Sequence, residues 1–202
     1  YRRKQKEYYD KYIDENDLMA RTISQINCFN DQSIIVTADA GNHLLNTAVL
    51  FDAKQKGQIF INDGIRAMGS GICETVGMAI ANSNYKYIAI TGDGCMLMNG
   101  NVMHMASKKN LPVLFVVYAN LSLGRVRVGQ MVKGKIIESD LPQIDFFLYA
   151  KSMGLDAISV NDVDGFYKYV EGFIKEPRPA LIEVCTDSDE IPIALKAKGE
   201  WN

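Results

Sequence analysis

The chain has 202 residues, 48 % of them hydrophobic and 23 % charged, with a net charge of −2. That balance belongs to a globular protein able to bury one substantial core. It excludes a basic field for nucleic acid or an anionic membrane, and no apolar run approaches the roughly 18 residues of a spanning helix.

The opening "YRRKQKEYYDKYIDEND" is densely charged and lacks an initial Met. Residues 1–15 read as a solvated linker or N-terminal helical extension, the tail of something longer, and 16–202 as one domain. Cys28, Cys73, Cys95 and Cys185 stand far apart without a CxxC pair. No signal-peptide pattern opens the chain, so a cytoplasmic protein with reduced thiols is expected.

Residues 16–29 have helical spacing. "SIIVTAD" (33–39) is the first expected strand and runs into the turn "ADAGNH" (38–43). "QIFIND" (58–63) is the second; it leads through "NDGIRAMGSG" (62–71) into a helix over 70–83. "YIAITGD" (87–93) ends in "GDGC" (92–95), with a helix expected over 97–109. "LPVLFVVYAN" (111–120) ends in "ANLSLG" (119–124). Residues 121–143 lack a core pattern and read as a mobile excursion, a common place for substrate contacts. "DAISV" (156–160), a helix over 163–175 and "PALIEVCTD" (179–187) complete the series.

Continuous Val/Ile/Leu runs suit strands covered on both faces. Alternation with helices then predicts an α/β three-layer sandwich with a mainly parallel, doubly wound sheet of about six strands. In such sheets ligands bind beyond the carboxyl ends of the strands, where the four polar turns lie.

A dinucleotide fingerprint fails there. The third glycine of GxGxxG would fall at Glu74 or at Leu97, and neither turn has a Walker A ending. A metal-bridged diphosphate fits better. Magnesium binds through a carboxylate plus substrate phosphates. Asp93 supplies the carboxylate, and the amides of Gly94 and Cys95 can meet phosphate at a helix start. Asn120, at the end of the next strand 27 residues on, supplies a second oxygen. Alone, Asp93 would pass as a helix cap, Asn120 as a turn residue, His43 as a surface histidine and Met68 as core. Arg125 and Arg127 either meet an anionic acid or are solvated.

"GDG" followed after 27 residues by the Asn of an "NN"-like pair, here "AN", resembles the binding motif of thiamine diphosphate-dependent enzymes. "GDGCMLMNGNVMHMASKKNLPVLFVVYANLSLGRV", "TADAGNH", "GIRAMGSGICETVGMAIA", "DFFLYAKSMGLDAISV" and "RPALIEV" are similar to the acetolactate synthase branch. The resemblance spans roughly 16–193 and implies the C-terminal, diphosphate-binding domain of a larger enzyme.

It also implies roles. Mg²⁺ would take the Asp93 carboxylate, the Asn120 side-chain oxygen and the Ser122 carbonyl. Gly41, Asn42, His43, Gly94, Cys95 and Gly124 would approach thiamine diphosphate. Met68 would wedge beneath it, bending the aminopyrimidine nitrogen toward the thiazolium carbon, and the Arg66 carbonyl would meet the pyrimidine amine. Ala119, Cys95, Val102, Arg66 and Glu74 depart from the family pattern.

The implied reaction is decarboxylation of a 2-oxo acid and carbanion transfer to a second carbonyl, in a homo-oligomer. The activating glutamate would come from the pyrimidine-binding domain of a partner subunit, leaving no catalytic side chain here. Rival readings are a 2-oxo acid decarboxylase of sulfopyruvate or indolepyruvate type, and a non-catalytic assembly module that keeps the fold.

Overall fold

The computed structural model describes residues 7, 10–61, 64, 65 and 67–198. Six strands carry the apolar runs: β1 Ile34–Ala38, β2 Ile59–Ile61, β3 Lys86–Gly92, β4 Val113–Ala119, β5 Asp156–Val160 and β6 Ala180–Cys185. All adjacent pairs are parallel, in the order β2-β1-β3-β4-β6-β5. Every residue of β4 is buried, as a central strand covered on both faces requires. The expected sandwich is the observed one.

The helices among the described residues are α1 Leu18–Ile26, α2 Asn42–Leu50, α3 Ser70–Ala81, α4 Asp93–Asn99, α5 Met103–Lys108, α6 Gly124–Val132, α7 Phe146–Ser152, α8 Val163–Lys175 and α9 Ile193–Lys196. A 3₁₀ turn, Gly100–Val102, joins α4 to α5.

Alternation along the strands sends side chains to two cores. Ile88, Leu114 and Ile182 meet Met19 and Ile23 of α1 and Phe166, Val170 and Phe173 of α8. Tyr87, Phe115 and Leu181 meet Ile72 and Val76 of α3, Met96, Met103 and Phe146 on the other face. The α8 stripe falls at i, i+4 and i+7, and Asp162 opens that helix by accepting from the Gly165 nitrogen at 2.7 Å. Truncating fully buried Phe166 to Ala removes about 3–5 kcal/mol from such a core.

Three expectations change. The helix after β3 starts at Asp93, four residues early, because "GDGC" is itself the first turn of α4. Residues 42–50 form a helix that its polar inner face concealed: Asn42, His43, Asn46 and Thr47 are all buried. The excursion over 121–143 is folded rather than loose. It contains α6, and it closes on itself through an antiparallel bridge between Ser122 and Asp140, with the Leu123 nitrogen donating to the Ser139 carbonyl at 2.7 Å. The second strand is described over Ile59–Ile61, and Asn62 and Asp63 lie outside the described residues. Of the opening segment, residues 1–6, 8 and 9 also lie outside them, while Tyr12 and Ile13 pack against the α1–α8 core.

The four cysteines are free thiols, with Cys95 buried. Among the described residues no helix is long and apolar enough to cross a membrane.

Candidate functional site

After β1 the chain crosses to β2 on one side, then returns to β3 on the other, so the strand order reverses between β1 and β3. A crevice at such a switch point is the usual ligand site of an open α/β sheet. The register pairs Ala38 with Ile90 and Gly92 with Tyr118, which brings Asp39, Asp93 and Asn120 to one rim. A cavity of about 290 Å³ opens there, walled by Ala40–Leu45, Gly92–Cys95 and Asn120, by Ser122–Val126, and by Met19, Met68 and Tyr118.

Asp93 is the hub. Its side chain is buried, Oδ1 accepts from the Gly94 nitrogen at 2.7 Å, and Oδ2 accepts from the nitrogens of Asn120 at 3.1 Å and Leu121 at 2.7 Å. Burial pushes its carboxyl above the usual carboxylate range, and these amide bonds oppose the shift. A cation beside it would oppose the shift further. Leu121 holds φ at 55°, and the Asn120 Oδ1 accepts from the Ser122 nitrogen at 3.2 Å. The structure brings Asp93 and Asn120 together through the Asn120 backbone nitrogen.

Around them stand buried polar atoms with no partner: Nδ2 and Oδ1 of Asn42, Nε2 of His43 and Oγ of Ser122. Such atoms are rare in a finished interior and mark a place for a bound group. The oxygen donors lining the cavity are the Asp93 carboxylate, the side-chain amides of Asn42 and Asn120, the Ser122 hydroxyl and backbone groups. That partial oxygen set suits magnesium completed by phosphate oxygens and water, so the residues present fit the implied group. Among the described residues no three His, Cys, Asp or Glu side chains cluster as a metal cage.

His43 is neutral at pH 7, because desolvation lowers its pKa to about 4. Its imidazole lies near parallel to the Tyr118 ring at 6.4 Å. Two glycines make room for it: a Cβ on Gly41 would lie 2.3 Å, and one on Gly92 2.9 Å, from His43 Cε1. Gly124 is also closely placed, since a Cβ there would sit 3.0 Å from the amide nitrogens of both Asn42 and Asn120.

Met68 lines the cavity, close enough to Gly94 that a Cβ on that glycine would meet its Cε at 2.8 Å. Cys95 points away from ligand chemistry: its thiol donates to the Ala40 carbonyl at 3.1 Å, and burial pushes its pKa to about 12. Arg66 lies outside the described residues.

Asp39 was missed. It is buried, accepts from the nitrogens of Ala40 at 2.8 Å and Gly69 at 3.0 Å, and receives the Thr91 hydroxyl at 3.5 Å. It thereby fixes the turn at Gly69, whose φ of 83° suits glycine, next to Met68. The available signal was an acid at the end of an apolar run, two residues before Gly41, a looser form of the pattern that singled out Asp93.

Fold and rim together define a cofactor-binding α/β domain. The family model described as "Thiamine pyrophosphate enzyme, C-terminal TPP binding domain" matches residues 39–184. The chain belongs to this family. It is 30 % identical over 175 residues to the acetolactate synthase isozyme 1 large subunit of Escherichia coli, covering 85 % of this chain and 31 % of that protein. It is 26 % identical over 162 residues to a probable acetolactate synthase large subunit of Methanocaldococcus jannaschii, covering 79 % and 27 %. It is also 26 % identical over 182 residues to chloroplastic acetolactate synthase 2 of Brassica napus, covering 85 % and 29 %. The chain spans less than a third of the length of these relatives.

Proposed function

We propose that this chain holds the diphosphate of thiamine diphosphate through Mg²⁺ in an acetolactate synthase-like enzyme. That enzyme would decarboxylate a 2-oxo acid and join the remaining unit to a second carbonyl. The observation that carries this is the buried Asp93 carboxylate, bonded across to Asn120 and Leu121 beside the unpartnered atoms of Asn42, His43 and Ser122.

Asp93, Asn120 and Ser122 would hold the metal. The first-turn amides of α4 at Gly94 and Cys95, with Gly41, Asn42, His43 and Gly124, would hold the diphosphate. Met68 would support the ring system from below, and Arg66 would offer its carbonyl to the pyrimidine. Bound there, the cofactor supplies an electron sink for the pair left when CO₂ departs. The chain's own task is to position and to exclude water.

Asp93 is the one carboxylate lining the cavity among the described residues. As the resemblance to the family implies, the glutamate that activates the pyrimidine would come from the pyrimidine-binding domain of a partner subunit in a cytoplasmic homo-oligomer. Calorimetry of the full-length protein tests the core of it. Thiamine diphosphate should bind with Mg²⁺ present and lose most of its affinity with EDTA. Equal binding in both conditions would overturn the metal assignment.

A further inference from the structure

Two arginines at the start of α6 are treated differently. Arg127 is neutralised: its Nε donates to Asp189 Oδ1 at 2.7 Å and a terminal nitrogen donates to Asp140 Oδ1 at 2.9 Å. Arg125, two residues earlier, lines the cavity with no hydrogen bond or ion pair to any described residue. Among the described residues it is the one cation on the cavity wall, since His43 is neutral. It also sits in the first turn of a nine-residue helix that carries no acid there. A helix start is already the positive end of the backbone dipole, so an unpaired guanidinium adds like charge to like. The unpartnered Ser122 Oγ and Asn42 amide open onto the same space. The cavity's carboxylate, Asp93, is already engaged by three backbone nitrogens, and Arg125 is exposed, so its guanidinium can meet an anion that enters the cavity.

We infer that Arg125 receives an anionic group of the substrate that survives the reaction, not the carboxylate lost as CO₂. This rests on the function proposed above. In that reaction the bond from the carbonyl carbon to the carboxylate breaks, its electron pair stays on carbon, and neutral CO₂ leaves. A cation placed on that carboxylate would stabilise the ground state more than the transition state and slow the step. The pair then forms a bond to the carbonyl carbon of a second 2-oxo acid, whose oxygen takes a proton while its carboxylate passes intact into the product. A cation on a persisting charge carries no such penalty. Two sources share this chemistry: the carboxylate of the acceptor acid, or a second acid group on the donor's side chain.

The test uses the full-length protein with thiamine diphosphate and Mg²⁺, comparing wild type, Arg125→Met and Arg125→Lys. With pyruvate alone, the ratio of condensed hydroxy acid to free acetaldehyde should fall about tenfold in Arg125→Met, and Arg125→Lys should recover part of it, if the acceptor is held. With 2-oxoglutarate against pyruvate as donor, the ratio of kcat/KM values should fall about tenfold if a second acid group is held. A fall in either ratio supports the inference and names the source. Two unchanged ratios overturn it. They would do so together with a uniform drop in CO₂ release, which marks the departing carboxylate, or with a raised cofactor Kd, which marks the diphosphate. Failure of the unmutated protein to bind the cofactor would instead remove the reading of the site, and this inference with it.

Discussion

The Oδ2 oxygen of Asp93 lies 2.7 Å from the backbone nitrogen of Leu121, whose φ of 55° is a conformation leucine rarely adopts. A non-glycine residue in that region costs on the order of 1–3 kcal/mol and persists where its surroundings over-determine it. Here the carboxylate does so, because the same oxygen takes the Asn120 nitrogen and the other takes that of Gly94. One side chain therefore shapes the loop after β4 and, in the proposed function, would hold the metal from the end of β3.

Asp93→Ala should remove both roles. Each buried amide left without its acceptor costs about 1–3 kcal/mol, so the melting temperature should fall. Mg²⁺-dependent heat of thiamine diphosphate binding should disappear. Calorimetry and thermal melts on the full-length protein check the two losses separately. Cofactor affinity that stays at the wild-type level would remove Asp93 from the metal site.

Met68 tests positioning. It enters the cavity beside Gly94, from a turn that Asp39 pins through the Gly69 nitrogen. Met68→Ala should lower kcat by more than it raises the cofactor Kd, because a missing support misplaces reacting groups more than it removes binding contacts. Steady-state kinetics beside equilibrium titration separate the two. A change confined to Kd would mark Met68 as packing.

The sheet was legible because both faces are covered. "VLFVVYA" is buried at every position, and a run of that kind has few other uses. The helix over 163–175 matched residue for residue, since the stripe at Phe166, Val170 and Phe173 begins just after the Asp162 cap. α2 was hidden for a functional reason. Its inward face carries Asn42, His43 and Asn46 toward polar partners and the cavity, so no apolar stripe forms. α6 was hidden because Val128 alone of its residues is buried. Of the site, the 27-residue spacing from Asp93 to Asn120 was readable; the clasp of Arg127 on Asp140 and Asp189 needed three distant segments in place.

Glu190 makes stability depend on pH. It is nearly buried, its Oε1 accepts from the Met19 nitrogen at 3.1 Å, and its Oε2 has no partner. Burial, then the charge of Asp17, raises its pKa from 4.5 to about 8, against the bond from Met19 and the Lys196 ammonium. Asp17 and Asp14 share Lys196, and the buried Tyr118 hydroxyl also lies within electrostatic reach of Glu190. The folded state keeps the Glu190 proton up to about pH 8, while the unfolded chain releases it near 4.5. In that window the folded state binds more protons, so stability present at low pH is lost as pH rises. Glu190→Gln keeps a neutral acceptor and should erase the loss. Melts of both proteins at about pH 5 and about pH 8 should show the variant gaining on wild type toward high pH. A difference that stays flat with pH would refute the assignment.

The last prediction concerns this chain by itself. The cavity wall holds Asp93, already engaged by three backbone nitrogens, and no glutamate among the described residues that could bond a pyrimidine ring. His43 is a poor substitute as a base, since burial keeps it neutral down to about pH 4 and its imidazole is boxed by Gly41, Gly92 and Tyr118. The Cys95 thiol, with its pKa pushed to about 12 and its S–H donating to the Ala40 carbonyl, does not ionise at working pH. In the proposed function, metal and diphosphate contacts would survive in such a chain, but among the described residues lining the cavity none would perform the acid–base step. Purified as these 202 residues, the protein should release no CO₂ and form no acetolactate from pyruvate with thiamine diphosphate and Mg²⁺. Weak, magnesium-dependent cofactor binding should remain visible by calorimetry. Clear turnover by the purified chain would mean that it carries its own activating group and that the proposed division of labour between subunits is wrong.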